Sequence, residues 1–276
     1  MRTLPFILIL FLFITINIKG QFKKLSYQKL HSLCSGELVI IDLNFSSEFK
    51  SSLKNIFDNY ITVSFSKEVP SGNKAILHIN SIYYKLPYDY KAEMRCLQIS
   101  KGQENILVPM PSIEYSSNKK LNGTFSEGQI ILASRLIKNC IDWSIKNGKS
   151  YDFDTYFKKS AKANKSKLSK YTKVYIREED VLFESDWATA GRNTVISEVS
   201  KTNSKMIPIN ISDLDEKIKS NEKFAISYIV KTSDGTFKLL IDGLSGEVLF
   251  KFKHEVTSYW DGFNKAALKA ISKALE

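Results

Sequence analysis

The stretch Phe224–Lys253, FAISYIVKTSDGTFKLLIDGLSGEVLFKFK, decides the fold class of this chain. Its three apolar runs, Phe224 to Val230, Thr236 to Asp242 and Glu247 to Lys253, have strand length and are rich in β-branched and aromatic residues. Ser233-Asp234-Gly235 and Gly243-Leu244-Ser245-Gly246 separate them and supply the Gly and Asp that tight reversals need. The stretch reads as a three-stranded meander. A helix follows, with Trp260, Phe263, Ala267, Leu268, Ile271 and Leu275 on one face and Lys265, Lys269 and Lys273 on another.

The same ending occurs earlier in the chain. Ala75 to Ile82, Glu93 to Ile99 and Glu104 to Met110 read as strands, with Lys101-Gly102 at the tight turn between the last two. Thr124-Phe125-Ser126-Glu127 is a capping-box pattern that opens a long helix carrying Ile130, Ile137, Cys140, Ile141 and Trp143. Upstream, Glu37 to Leu43 is a continuous apolar strand. Phe49, Leu53, Ile56, Phe57 and Tyr60 make one helix face, and Ile61 to Phe65 reads as another strand. The second half opens with a short strand at Lys173 to Ile176 and a helix at Asp213 to Lys219 capped by Ser212. These readings predict an α+β chain of two tandem units, each an antiparallel sheet with helices packed on it. The element order resembles that of many small envelope domains, and no motif specifies one family.

The predicted boundaries are a signal peptide at 1–20, a first unit at 21–150, a lysine-rich linker at 151–172 and a second unit at 173–276. Lys158 to Lys173 holds seven lysines, no acid and Leu168 as its one large aliphatic residue, which reads as too polar to bury. In the leader, Arg2 precedes an apolar run from Leu4 to Ile16 that is short for a membrane span of about 20 residues. It matches a secretory signal cleaved after Gly20, although the bulky Ile18 leaves an uncleaved anchor as the alternative. The expected address is the periplasm or the extracellular space, with no transmembrane span in the mature chain.

The 276-residue chain carries a formal charge of +11, of which Arg2 and Lys19 in the leader account for two. Such a balance suits anionic partners, although solubility alone also explains it. The cations are mostly lysine, a weaker choice than arginine for bidentate phosphate recognition. Cys34, Cys96 and Cys140 form no disulfide framework, since an oxidising compartment would pair two and leave one. Cys140 shares a helical face with Ile137 and Ile141 and reads as a buried thiol. None stands where a bacterial lipoprotein carries its acylated cysteine.

Motifs for catalysis are missing from the sequence. It has no Gly-x-Ser-x-Gly elbow, no phosphate-binding Gly-rich loop and no His-Glu-x-x-His. His31-Ser32-Leu33-Cys34 supplies two metal-type ligands with no second pair, and His78 lies within a strand. No cofactor or metal is predicted. Two acidic clusters, Asp152 with Asp154 and Glu178-Glu179-Asp180, keep a secreted carboxylate-based hydrolase as the alternative function. The leading expectation is a non-enzymatic exported protein that binds another envelope component, an anionic polymer or a protein, with nucleic acid disfavoured. Two surfaces are its candidates. One is the aromatic loop with Tyr83, Tyr84, Tyr88 and Tyr90, which offers contact area with polar tips. The other is the basic run with Lys159, Lys162, Lys165 and Lys167.

Overall fold

The computed structural model describes residues 24–57, 62–85, 91–110, 125–181, 196–220, 222–232, 235–254 and 262–276. The leader, Tyr88, Tyr90 and Trp260 lie outside them. The first unit runs α1 (Tyr27–Leu33), β1 (Glu37–Ile41), α2 (Ser47–Phe57), β2 (Thr62–Ser66), β3 (Ala75–Lys85), β4 (Lys91–Lys101), β5 (Glu104–Pro109) and α3 (Glu127–Lys146). The second runs α4 (Phe153–Leu168), β6 (Val174–Arg177), α5 (described over 196–202), β7 (Met206–Ile209) and α6 (Ile211–Lys219), then β8 (Ala225–Thr232), β9 (Gly235–Asp242), β10 (Val248–His254) and α7 (Lys265–Leu275).

The fold is α+β, with two five-stranded sheets ordered β2-β1-β3-β4-β5 and β7-β6-β8-β9-β10. Element for element the orders coincide, with α6 as an insertion in the second unit. Both meanders are antiparallel, as their turns predict. The opening strands are not: β1 pairs parallel with β2 and β3, and β6 pairs parallel with β7 and β8, so each sheet is mixed. The cause is connectivity. Helix α2 carries the chain from the end of β1 back to its starting edge, the usual crossover of a parallel pair, and the helix-free segment 67–74 does the same between β2 and β3.

One hydrophobic core joins the units. It includes Leu38, Ile40, Leu77, Leu97 and Ile99 of the first sheet, the inward side of α3, and Tyr175, Ile226, Tyr228, Leu239 and Ile241 of the second. A second core lies on the opposite face of the second sheet, where Val174, Ile176, Ala225, Ile229 and Leu240 meet α7. Helix α3 is therefore buried on several sides, between β4 and β5 on one flank and α6 on another. Its capping box is Ser126 with Gln129, two residues beyond the expected Thr124. Glu127 instead accepts from the backbone N–H and hydroxyl of Ser46 at the start of α2.

The equivalent α7 keeps a single buried stripe of Ala267, Leu268, Ile271 and Leu275, and its Asn264 side chain accepts from Ala267 N–H as the N-cap. Lys265, Lys269 and Lys273 are exposed. Truncating a fully buried isoleucine typically costs about 2–5 kcal/mol. Ile271→Ala should therefore lower the melting temperature clearly while Lys269→Ala leaves it unchanged, as read by thermal unfolding; equal effects would mean the buried stripe is misplaced.

The segment 151–172 departs from its expected role as a polar linker. It contains α4, whose Phe153, Tyr156, Phe157, Ser160, Asn164 and Leu168 are buried. The 16-residue window that looks too polar begins after the helix's aromatic half, which supplies three of its six buried side chains. Helix α4 covers the free edge of β10: Ser160 Oγ and Asn164 Nδ2 both donate to the Val248 carbonyl, at 3.2 and 3.1 Å. Those polar side chains satisfy an edge carbonyl and so belong in the interface. Helix α1 stands in the same relation to β5 and α3 as α4 does to β10 and α7. The second unit thus opens at α4.

Candidate functional site

Asp152 starts α4 by accepting from Asp154 N–H and Thr155 N–H, which satisfies orphan donors of the first turn. From there the helix places its lysines by arithmetic. At 100° per residue, Lys158, Lys162 and Lys165 fall within about 60° of one another, on the side opposite the buried face, and Lys159 borders them. All four are exposed, and none forms an ion pair with an acid among the described residues. Lys167 points another way and pairs with Glu247 at 2.8 Å. The structure therefore groups Lys159, Lys162 and Lys165 of the expected basic set, adds Lys158, and separates Lys167. The sequence run carried the charge, but only the helix phase shows which lysines share a face.

The aromatic candidate is a hairpin arm. Strands β3 and β4 pair continuously out to Lys85 and Lys91, well past β1, which reaches only Leu77, and past β5, whose partners begin at Cys96. Tyr83 and Tyr84 lie on this arm opposite Glu93 and Ala92. Tyr88 and Tyr90 fall outside the described residues.

The acids proposed for hydrolysis are engaged elsewhere. Asp152 caps α4 and pairs with Lys24 at 2.8 Å, and Asp154 pairs with Lys251. Asp180 is buried: it pairs with the fully buried Arg177 and accepts from Ser227 Oγ at 2.7 Å. His31 is exposed on α1 while Cys34 is buried, so this pair does not converge. Among the described residues no group of three or more His, Cys, Asp or Glu could hold a metal ion, and no helix is long and apolar enough to cross a membrane.

The three cysteines are unpaired and buried. Burial pushes the Cys34 thiol up to about 12 and raises Cys96 and Cys140 further, because a thiolate loses its hydration there. A thiol reagent at neutral pH should accordingly label none of them in the folded protein and all three after denaturation. Rapid native labelling of even one would contradict this burial.

One cavity of about 100 Å³ lies where α2, α3 and α6 meet, lined by Glu48, Ser52, Glu127, Arg135, Asp215 and Lys219. It is well below the roughly 300 Å³ at which ligand pockets begin. Its polar groups belong to the seam between the units: Asp215 Oδ1 accepts from Ser126 Oγ at 2.7 Å and from Gly128 N–H at 2.9 Å, at the start of α3. Sequence reading misses this seam because its partners lie 87 to 89 residues apart. Comparison with known protein families, curated proteins and solved structures finds no match for this chain.

Proposed function

We propose that this is an exported, non-enzymatic protein that binds an anionic component of the cell envelope through the exposed face of α4. The observation that carries the reading is the acid-free row of Lys158, Lys162 and Lys165 beside Lys159 on a helix whose other side is fixed to β10. The leader-like residues 1–20 support export, and the engagement of Asp152, Asp154 and Asp180 in ion pairs gives a carboxylate hydrolase less support.

Replacing Lys158, Lys159, Lys162 and Lys165 together by glutamine should weaken binding to isolated anionic envelope material at least tenfold. The melting temperature should stay within a degree or two, since surface substitutions typically change stability by under about 0.5 kcal/mol each. Binding should also fall as salt rises. A surface centred on the hairpin arm would respond instead to Tyr83→Ala and Tyr84→Ala, with little salt dependence. Intact mass of the protein recovered from its native host tests the address, with a start at Gln21 expected.

A further inference from the structure

Resting on that basic-face reading, we infer that the ligand is a linear polyanion bound lengthwise along α4, in a track that runs from Lys158 to Lys205. Three observations define the track. Lys158, Lys162 and Lys165 repeat at steps of four and three residues, which a helix converts into axial spacings of about 6 and 4.5 Å along one line. Ser169, the C-cap, stands one turn beyond Lys165 on the same line, and Lys205 Nζ donates to its carbonyl at 3.3 Å. The row therefore gains a cation from β7's approach just where α4 ends, and from Lys158 to Ser169 it spans about 16 Å.

The shape of the charge selects the partner. The cations form a row one helix wide, which fits a chain of anions better than a plane of them. The apolar side of α4 is committed to the protein core, so the helix has no face with which to enter a bilayer. Lysines without bidentate geometry recognise a repeating charge rather than one particular group. A flexible chain with an anion at each repeat, such as a phosphate polymer, matches that chemistry. Contacts of this kind release counterions, so the affinity should depend steeply on salt.

Long-chain inorganic polyphosphate serves as the probe, with tripolyphosphate and vesicles of mixed neutral and anionic lipid beside it, all against the full-length mature protein. Four contacts on a flexible strand predict that affinity for the long chain falls about 50-fold between 50 and 200 mM salt. With K158Q/K162Q/K165Q only about a threefold salt effect should remain. K265Q/K269Q/K273Q removes the same charge from the neighbouring helix α7, off the α4 row, and should leave affinity within about threefold of the parent. Tripolyphosphate, too short to span the row, should bind at least tenfold more weakly than the long chain.

Equal losses from the α4 and α7 triple variants would overturn the track while leaving a diffuse basic surface in place. Binding to vesicles but not to polyphosphate would overturn the linear ligand and keep the broader anionic reading. Binding to none of the three probes or to envelope material would remove both.

Discussion

Arg177→Ala should lower stability by about 3–5 kcal/mol, the usual loss when one member of a buried ion pair is removed. Arg177 and Asp180 are both essentially inaccessible, and the guanidinium approaches both carboxylate oxygens. Ser227 closes the group: its hydroxyl accepts from Arg177 N–H at 2.8 Å and donates to Asp180. The Asp180 carbonyl accepts from Phe263 N–H at 2.7 Å, so the same turn holds the entry to α7. Removing Arg177 strands a carboxylate in the core, which is a larger penalty than losing the pair itself. At roughly 2–4 °C per kcal/mol for a chain of this size, the melting temperature should fall by about 10 °C. Replacing both residues, Arg177→Met with Asp180→Leu, should lose less than the single change. A double variant as damaged as Arg177→Ala would place the energy in the turn's shape instead.

Gly246→Ala should be nearly as damaging, for a different reason. Gly246 has φ of +74°, and a Cβ there would lie 2.5 Å from Arg135 Cβ and 2.8 Å from the Arg135 carbonyl carbon. Left-handed backbone alone costs a non-glycine residue about 1–2 kcal/mol. The contact with the α3 backbone adds overpacking of about 1–3 kcal/mol, because a helix backbone does not yield as a flexible side chain does. Arg135 donates to the Gly243 carbonyl and Asn139 to the Ser245 carbonyl, so the β9–β10 turn is fastened to α3 along one turn of helix. The variant should separate the units as well as strain the turn, giving a broadened unfolding transition. Gly102→Ala is the control. It lies at the matching β4–β5 turn with φ of +59°, faces open space, and should cost only the conformational part. Similar losses at both positions would mean that α3 does not press on the turn.

The contrast between these glycines shows what a sequence carries and what it does not. Both hairpins are readable from runs such as Glu104 to Met110 and Glu247 to Lys253, since contiguous β-branched and aromatic residues bounded by glycine permit little else. Which turn meets a helix depends on packing between segments 106 to 108 residues apart, and no local pattern records that. Strand β7 is four residues long and contains Pro208, so it falls below the length at which an apolar run is recognisable. Parallel pairing of β1 with β2 was in reach, because a helix between two strands is the usual crossover of a parallel pair.

The candidate site divides in the same way. Charge was visible in the lysine count of 158–173, but the window hid the amphipathic helix by starting after Phe153, Tyr156 and Phe157. Ser160 and Asn164 then counted as signs of exposure, although both serve the Val248 carbonyl inside the protein. Polar residues that close a strand edge look in sequence like residues that face water.

The seal of α4 on β10 also sets a timetable. The helix is synthesised first and its partner strand last, with Asn164 and Val248 separated by 84 residues. At about 5–20 residues per second, the aromatic face of α4 waits roughly 4–17 s for the strand that covers it. The contact that closes the second unit is thus among its most distant along the chain, the kind that slows folding because loop closure must precede the reward. A chain that stops short of Val248 loses, together with α7, the strand that gives the unit's first helix a place to rest.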